Sequence, residues 1–515
     1  MNAAMSGSVI NHIVSTAPAA CHRISFARLG VTESMGLREL YERAGRLALH
    51  LSDLGVGPGD RIGILAPNTL EWVLLDIAAL RIKAVTAGFE PSKFESGGTL
   101  LTRYNLKFLF TDQRLDAPGI RPMSEVRRLA DQPHPAEVPA PVTYGPNDIT
   151  TIKFTSGSTG EPKGLAATVA SSDSSMRAVQ EMFAHGPDDN LFIFLPLSLL
   201  QQRYWIYSAL RFGHDVTVST YEAAFAALRR TQPTVVMAVP AFYETAKKHV
   251  EAEAGRAGPG VPALDAARQT ARRMFGDRIR YLWTGSAPAS AGTLRFFNAV
   301  GMPIYEGYGL NEACIVTKNH PGAHREGSVG RTLPGKQVML DSDGVISVRS
   351  DHPVNWRYEY AAAGESERMF GHDGIVRTGD LGYLDDEGFL FIRGRADDVI
   401  VLDNGRKVIV RPIEEHMKIS PAIEECVLFC PTQTFLVAVV SSSRASADEA
   451  AIAEQLARTN AAFGRDEQIR KVVVAHEQFS IENEMLTSQF KPRRRRIFDA
   501  YRSEISNNQG GIHAG

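Results

Sequence analysis

Hydrophobic residues near the start of the chain recur every three or four positions, and a short apolar run follows them. The spacing over residues 37–54 predicts an amphipathic helix that ends at Gly55. Residues 60–65 then form a short apolar segment, which predicts a buried strand. A helix followed by a strand is the repeating unit of an α/β protein.

The same alternation continues along the chain. Residues 71–83 and 266–275 predict helices, whereas residues 108–111 and 235–239 predict strands. The expected fold class is therefore α/β, with helices packed on the faces of sheets. We expect a large N-terminal domain built from packed α/β sub-domains and a small, mobile C-terminal α/β domain.

Two segments interrupt this pattern. Residues 131–146 contain five prolines and predict a surface connection that leads into a strand at residues 149–154. Near residues 394–398, a Gly-Arg pair and two acids follow an apolar run, and this composition predicts a domain hinge. The expected domains are residues 1–395 and residues 396–515. The last ten residues, 506–515, are expected to form a frayed polar tail.

Composition narrows the class of protein. The chain has 515 residues, which favours at least two domains, and its net charge of −2 gives no reason to expect a nucleic-acid partner. The longest apolar stretch, residues 191–200, is about half the length of a membrane-spanning helix, so we expect no membrane span. Four cysteines and the lack of a secretory signal pattern predict a cytoplasmic protein, with Cys426 and Cys430 in the core.

The most informative motif is TSGSTGEPKG, residues 155–164, directly after an apolar strand. Glycines let successive amides converge on an anion, while hydroxyls and a lysine add donors and charge, so the loop is predicted to bind phosphate. The predicted phosphate-binding residues are Thr155, Ser156, Gly157, Ser158, Thr159, Gly160 and Lys163. The loop is not that of P-loop ATPases, because Pro162 and Gly164 flank the lysine. The alternative is a flexible linker rich in Gly and Ser.

This loop resembles the phosphate loop of the adenylate-forming superfamily, which includes acyl-CoA synthetases, firefly luciferase and the adenylation domains of peptide synthetases. YEGYGLNE, residues 305–312, resembles the segment in which an aromatic ring lies against adenine and a glutamate holds magnesium. GSAPAS, residues 285–290, resembles the turn that lines the adenine and acyl pockets. The resemblance implies an adenine site formed by Gly285, Ser286, Ala287, Glu306, Gly307 and Tyr308, with Glu312 and Thr155 at the metal and Asn311 and Glu312 in catalysis.

Three later motifs extend the resemblance. RTGDLG, residues 377–382, implies that Asp380 binds both ribose hydroxyls, since a carboxylate offers two acceptor oxygens. FIRGRADD, residues 391–398, implies a second ribose contact at Arg395 and a hinge at Asp397. LTSQFKPRRRR, residues 486–496, resembles the terminal motif of long-chain fatty acyl-CoA synthetases, with Lys491 as the catalytic lysine. The alternative is a solvated basic surface, which is our interpretation of most of the arginines that follow.

Two positions depart from the family pattern. Asn311 stands where most relatives have threonine or serine, although an amide can still donate to a phosphate oxygen. Leu199 stands where a histidine or another aromatic ring is common in the acyl-pocket motif. The resemblance implies an acyl pocket formed by Leu199, Leu200, Trp283 and Gly309. Because residues 191–200 contain no acid to pair with a substrate ammonium, we expect an uncharged acyl chain, aliphatic before aromatic.

The resemblance implies an AMP-forming acid–thiol ligase. By this interpretation, residues 1–395 form the adenylation domain and residues 396–515 form a lid that carries the catalytic lysine. The expected substrates and cofactors are ATP, Mg²⁺, a carboxylic acid and coenzyme A. Two alternatives stay open, namely an enzyme that loads the phosphopantetheine of an acyl-carrier protein and a nucleotide-binding protein that has lost catalysis.

Overall fold

The computed structural model describes residues 7–91, 93–94, 97–114, 117–156, 162–256, 262–371, 373–431, 434–442, 448–487, 490–507 and 511–513, with the backbone alone at 155 and 156. The chain divides into two compact units. The first unit comprises Met1–Gly285, Thr293–Val338 and Val348–Arg377, and the second comprises Ser286–Gly292, Met339–Ser347 and Thr378–Gly515. The boundary expected between residues 395 and 396 stays a prediction.

The elements have the following bounds. The helices are α1 Val9–Ser15, α2 Leu37–Asp53, α3 Leu70–Arg81, α4 Gly98–Arg103, α5 Met123–Asp131, α6 Val169–Phe183, α7 Leu200–Ser208, α8 Ala224–Thr231, α9 Pro240–Ala254, α10 Ala263–Phe275, α11 Ala291–Ala299, α12 Glu365–Met369, α13 Val410–Met417, α14 Glu449–Ala462, α15 Arg494–Ala500 and α16 Arg502–Ser506. The strands are β1 Arg23–Ala27, β2 Thr32–Gly36, β3 Arg61–Leu65, β4 Val85–Phe89, β5 Phe108–Thr111, β6 Ile120–Pro122, β7 Ile149–Ser156, β8 Pro162–Thr168, β9 Asn190–Ile193, β10 Asp215–Ser219, β11 Val235–Ala238, β12 Tyr281–Thr284, β13 Ile304–Leu310, β14 Cys314–Lys318, β15 Arg331–Thr332, β16 Lys336–Leu340, β17 Val345–Ser350, β18 Ile375–Leu384, β19 Leu390–Arg395, β20 Ile400–Val401, β21 Lys407–Val408, β22 Glu425–Phe429, β23 Leu436–Ser441, β24 Ile469–Val474 and β25 Ile512–His513.

The first unit is built on two large sheets. One has the strand order β15-β14-β13-β12-β11-β9-β10-β1-β2, and the other has the order β6-β5-β3-β4-β7-β8. Their interior strands pair in parallel and antiparallel strands lie towards the edges, as expected when helices cover both faces. The predicted helix over residues 37–54 is α2, the strand over residues 60–65 is β3, and the α/β fold class is confirmed.

A buried ion pair joins two helices of the first unit, α3 and α7. Arg203 of α7 contacts Asp76 of α3 at 2.9 Å, and both side chains are buried. Tyr207 donates to the other oxygen of the Asp76 carboxylate at 2.5 Å, and Arg203 donates to the Thr151 hydroxyl at 3.0 Å. A buried charge is tolerated when it is paired and hydrogen-bonded in this way. The network therefore fixes α7 against the strand that leads into the phosphate-loop motif.

The second unit contains a four-stranded sheet of order β22-β23-β24-β25 with an apolar cluster on each face. Cys426 is buried there, as predicted, and Cys430 is half-buried against the same cluster. The expectation of a frayed tail is wrong at residues 512–513, because β25 pairs antiparallel with β24, and residues 508–510 and 514–515 lie outside the described residues. Without β25, the edge of β24 would present unpaired backbone groups. The Lys471 ammonium also donates to the Asn507 carbonyl at 2.5 Å, a few residues before β25. The composition of the tail carried no sign of this pairing.

None of the helices in the described ranges is both long enough and apolar enough to cross a membrane. The apolar stretch at residues 191–200 forms β9, a short turn and the start of α7, as the sequence predicted. The proline-rich connection also lies where it was expected, between α5 and β7.

Candidate functional site

Strands β7 and β8 form the hairpin that carries the predicted phosphate loop. They pair antiparallel, with Thr155 opposite Lys163 and Ser156 opposite Pro162. Residues 157–161, which include Gly157, Ser158, Thr159 and Gly160, lie outside the described residues, as do the side chains of Thr155 and Ser156. The hairpin thus places the motif at the carboxyl end of a buried strand, where ligands of α/β sheets bind.

Lys163 has an anionic partner. Its ammonium is paired with the Glu365 carboxylate of α12 and lies 5.1 Å above the centre of the Tyr358 ring. The hydrogen bond from Lys163 is the largest cause of a lowered pKa at Glu365. The Lys163 ammonium is therefore already paired with an anion. A bound phosphate would need the same kind of contact between a cation and an anion.

The segment that follows Tyr358 also pairs with the base of the hairpin. The backbone amide of Gly164 donates to the Glu359 carbonyl at 2.8 Å, and the Glu359 amide donates to the Gly164 carbonyl at 2.7 Å. A Cβ at Gly164 would lie 2.9 Å from the Tyr360 ring, so glycine is required for this close approach. No motif in the sequence marked this segment.

Glu312, the predicted magnesium ligand, is buried and hydrogen-bonded. The Tyr358 hydroxyl donates to its Oε1 atom at 2.6 Å. Burial and the nearby Glu312 carboxylate raise the pKa of Tyr358, so the tyrosine remains a donor. Tyr358 therefore lies between the glutamate and Lys163, and it connects two motifs that are about 150 residues apart in the chain.

Strands β12 and β13 bring the two predicted adenine segments together. Thr284 is opposite Glu306 in a parallel pair, and a Cβ at Gly285 would lie 3.3 Å from the Gly307 carbonyl oxygen. Tyr308 continues β13 and pairs with Thr317 of β14. Ser286 and Ala287 follow Gly285 in the second unit, and Ser286 adopts a positive φ of 69°.

The predicted acyl-pocket residues lie on three elements of the first unit. Leu199 precedes α7, Leu200 begins it, and both are wholly or partly buried. Trp283 of β12 contacts Trp205 of α7 with ring centres 5.2 Å apart, so the structure brings these two elements together. At Gly309 a Cβ would lie 2.1 Å from the Cys314 carbonyl oxygen, which explains the glycine by a close backbone approach.

The second unit brings together the predicted ribose and hinge residues. Asp380 is opposite Arg395 in the β18–β19 pair, and their side chains are 3.0 Å apart. Arg395 also donates to the Thr378 carbonyl at 2.8 Å and lies 3.5 Å from Asp397. Burial lowers the pKa of Arg395, but Asp380 and Asp397 outweigh it and the net shift is upward. The guanidinium is therefore permanently charged and holds the Asp380 carboxylate in place.

Lys491 lies in a tight turn of the second unit. Leu486 and Pro492 form an isolated bridge, and the Thr487 amide donates to the Lys491 carbonyl at 2.8 Å. Lys491 is exposed as a residue, but partial desolvation of its ammonium lowers its pKa, as do the cations Arg395 and Arg411, while Asp380 acts in the opposite direction. The Lys491 ammonium therefore lies within electrostatic reach of the Asp380–Arg395 pair.

One of the arginines after Lys491 does not belong to a solvated surface. Arg494 pairs with Glu414 at 2.5 Å, lies 3.4 Å from Asp398 and donates to the Leu428 carbonyl at 3.0 Å. Arg496 pairs with Glu484 at the exposed surface, which agrees with the prediction for most of this run. The arginine run thus includes one residue that anchors the lysine turn to α13 and β22.

A histidine cluster outside the motifs fits a metal poorly. His50, Asp53 and His134 have donor atoms within 4.8 Å of one another. The Nδ1 atom of His134 accepts from the Ala136 amide at 3.0 Å, so its Nε2 atom carries the proton that faces Asp53 at 2.9 Å. A ligating nitrogen must present a lone pair to the metal, and this tautomer does not.

Comparison with solved structures supports the fold. The ATP-bound structure of MatB from Rhodopseudomonas palustris has a TM-score of 0.79 at 20% identity, covering 97% of this chain and 99% of that one. The o-succinylbenzoate CoA synthetase MenE from Bacillus subtilis, in complex with its acyl-adenylate intermediate, has a TM-score of 0.75 at 19% identity, covering 98% and 99%.

Comparison with curated sequences and family models is more specific. The long-chain-fatty-acid–CoA ligase FadD15 of Mycobacterium tuberculosis is 28% identical, with 92% of each chain covered. Long-chain-fatty-acid–CoA ligase 1 of Schizosaccharomyces pombe is 26% identical over 93% of this chain and 86% of its own. The AMP-binding enzyme C-terminal domain model matches residues 397–508. Because the AMP-binding enzyme model also matches residues 16–347, well over half of the chain, this protein belongs to the family of AMP-binding, adenylate-forming enzymes.

Proposed function

We propose that this protein is an AMP-forming acyl-CoA ligase that activates a carboxylic acid with ATP and transfers the acyl group to coenzyme A. The observation that carries the proposal is the Asp380–Arg395 ion pair at 3.0 Å, in the same unit that carries Lys491. A carboxylate that binds ribose hydroxyls places the α-phosphate of the same nucleotide within a few ångströms. A lysine in that neighbourhood can contact both the phosphate and the attacking acid.

The residues of the first unit would bind the rest of the nucleotide. Lys163 and residues 157–161 would hold the β- and γ-phosphates, and Tyr308 would lie against adenine. When phosphate binds, Lys163 would exchange the Glu365 carboxylate for a phosphate oxygen, which is an exchange of one anion for another. This role requires no change in the charge of the lysine.

Glu312 fits a magnesium ion by its chemistry. Magnesium prefers oxygen ligands and binds proteins through one or two carboxylates plus substrate phosphates. Tyr358 contacts the Oε1 atom of Glu312 among the residues that the structure describes, and Thr155 is proposed as the second protein ligand. The ion would neutralise charge on the phosphate oxygens, while Glu312 fixes its position.

The first chemical step is attack of the acid's carboxylate oxygen on the α-phosphorus. A bond forms between that oxygen and phosphorus, the bond to the bridging oxygen breaks, and pyrophosphate leaves. Lys491 would hold the two mutually repelling anions together and stabilise charge as it develops. Asn311 would donate a hydrogen bond to the α-phosphate in place of the hydroxyl that most relatives use.

In the second step the thiol of coenzyme A attacks the acyl carbonyl and AMP leaves. We propose that the C-terminal domain turns about Asp397 between the two steps, which withdraws Lys491 and admits the thiol. Such gating keeps the reactive anhydride away from water. The chemistry would be the same for the phosphopantetheine of a carrier protein, so the identity of the acceptor has to be measured.

The acid is proposed to be an aliphatic fatty acid. Leu199, Leu200 and Trp283 would form an apolar lining, and the curated relatives are long-chain-fatty-acid–CoA ligases. A polar or charged acyl chain would lose hydration there without gaining a partner.

A panel of carboxylic acids tests the function. The expected result is exchange of labelled pyrophosphate into ATP that depends on an added fatty acid and on Mg²⁺. Product analysis with coenzyme A and with a loaded acyl-carrier protein then identifies the acceptor. No exchange with any acid, together with intact ATP binding, would instead identify a nucleotide-binding protein without catalysis.

A further inference from the structure

Two lysines in the first unit, one buried and one half-buried, contact the same turn from different strands. Lys153 of β7 is only 4% exposed, and its ammonium lies 2.5 Å from the Asn311 carbonyl oxygen. Lys336, the first residue of β16, donates to the Ile315 carbonyl at 2.6 Å and also to the Ala313 carbonyl. Lysine is rarely buried to this extent unless it has a partner. Here the partners are the carbonyl groups of Asn311 and Ala313 in the turn and of Ile315 at the start of the next strand.

That turn joins β13 to β14 and carries Asn311 and Glu312. Its backbone is strained, because Cys314 adopts a positive φ of 57° without being a glycine. The backbone also packs closely there, since a Cβ at Gly309 would lie 2.1 Å from the Cys314 carbonyl oxygen. A strained conformation persists only when its surroundings hold it. The lysine contacts to three carbonyls provide such a constraint.

The charges around the turn are linked to one another. Burial raises the pKa of the Cys314 thiol, but Lys336 and Lys153 outweigh it and the net shift is downward. The Tyr204 hydroxyl of α7 lies 3.8 Å from the Cys314 sulfur. Two ammonium groups therefore lie against the backbone that carries Glu312 and Cys314.

We infer that Lys153 and Lys336 are positioning residues for magnesium-dependent ATP binding, because they clamp the turn that presents Glu312 to the metal. The inference rests on the proposed function. Neither lysine needs to touch the nucleotide, since each acts through the backbone of the turn. Replacing buried charges by apolar side chains often preserves or raises stability, so a purely structural role would not explain why lysine is used at both positions.

The hydrogen bonds from Lys336 to the turn and to β14, which together with the contact of Lys153 we call the clamp, should depend on pH. Burial and Lys153 lower the pKa of Lys336 to about 8, with Cys314 opposing the shift. The ammonium therefore loses its proton as the pH rises through about 8, and its hold on the carbonyls weakens. The unfolded chain binds this proton up to its ordinary pKa of 10.5. Between these values the unfolded state holds more protons, so this group makes folding more stable as the pH rises. As the pH rises between these two pKa values, magnesium-dependent ATP binding should therefore weaken while the free energy of unfolding increases.

Calorimetric titration of ATP binding against Mg²⁺ tests the clamp without requiring turnover. We compare the wild type with Lys336→Met, Lys153→Met and the surface control Lys247→Met, whose lysine pairs with Glu251 on α9. At about pH 7 the two clamp variants should need roughly tenfold more Mg²⁺ for half-saturation, because hydrogen bonds to a charged group are lost. The control should match the wild type. Lys336→Arg, which keeps its charge, should restore most of the affinity.

The wild type provides a test that needs no variant. Its half-saturating Mg²⁺ concentration should rise several-fold between about pH 7 and about pH 9, whereas Lys336→Met should show a flat profile. Equal wild-type values at the two pH values would overturn the inference, as would wild-type affinity in folded clamp variants. If the variants do not fold, the wild-type comparison decides. A wild type that binds no magnesium-ATP at either pH would overturn the proposed function itself, and the inference with it.

Discussion

Asp380 is held by Arg395 so that one carboxylate oxygen forms the ion pair. In the proposed complex the same carboxylate would also accept hydrogen bonds from the ribose hydroxyls. Arg395 also donates to the Thr378 carbonyl, so the geometry does not depend on the nucleotide. The Asp380–Arg395 pair is therefore ordered before a nucleotide binds, so ordering it does not reduce the free energy of binding.

Replacing Asp380 with asparagine should weaken ATP binding. The amide keeps the shape of the side chain but loses the charge and one acceptor oxygen. We expect the KM for ATP in pyrophosphate exchange to rise about tenfold or more, which corresponds to loss of one hydrogen bond to a charged group. Asp386→Asn, in the exposed turn between β18 and β19, is the matched control. An unchanged KM for ATP would count against the ribose role.

Replacing Tyr358 with phenylalanine should destabilise the first unit. The buried Glu312 carboxylate would lose the donor at 2.6 Å without gaining another. We expect unfolding to become easier by about 1.5–3 kcal/mol, the usual cost of losing a hydrogen bond to a charged group. Thermal denaturation measures the change. Tyr383→Phe, at an exposed tyrosine, should be neutral, and equal melting of the two variants would contradict the assignment.

Helices and strands with strong apolar periodicity were predictable from the sequence. The helix predicted over residues 71–83 is α3, and the predicted strand at residues 108–111 is β5. The spacing of apolar residues along each element decides which of its side chains are buried, and that spacing is visible in a single sequence. In contrast, β25 has only two residues and exists because the edge of β24 accepts it, so no local pattern marks it.

The site was predictable only where residues lie in motifs. Asp380 and Arg395 were expected to share one ligand, and the structure places them opposite each other. Lys153, Lys336 and Tyr358 were missed, because each acts through a contact with a residue that is distant in sequence. A lysine inside an otherwise apolar strand, as at residue 153, was the available signal.

The ion pair between α3 and α7 should be essential for the first unit. Replacing Asp76 with alanine leaves the Arg203 guanidinium buried without its carboxylate. We expect a loss of about 3–5 kcal/mol in stability, as is typical when one partner of a buried pair is removed. Glu251→Ala, which breaks the surface pair with Lys247, is the control and should cost under about 1 kcal/mol. Similar melting curves for the two variants would show that the buried pair does not stabilise the fold.

Removing residues 511–515 should destabilise the second unit modestly. The truncation deletes β25 and exposes the edge of β24, whereas removal of residues 514–515 alone leaves the strand intact. Loss of a few backbone hydrogen bonds predicts a decrease of about 1–2 kcal/mol. Hydrogen exchange at the amides of β24 reports the change locally. Unchanged protection in the longer truncation would mean that the tail does not pair with the sheet in solution.

The motifs are divided between the two compact units of the molecule. The first unit carries the phosphate-loop hairpin and Glu312, and the second carries Asp380, Arg395 and Lys491. Adenylation as proposed needs residues from both units, whereas thiol attack on a finished acyl-adenylate does not need Lys491. The two half-reactions should therefore respond differently to changes in the second unit.

The half-reactions of Lys491→Ala test the central claim most directly. Adenylation, measured as acid-dependent pyrophosphate exchange, should fall by about 10² or more, since a group that stabilises developing charge is lost. Thioester formation from preformed acyl-adenylate and coenzyme A should stay near the wild-type rate. Equal loss in both half-reactions, or no loss in adenylation, would contradict the account.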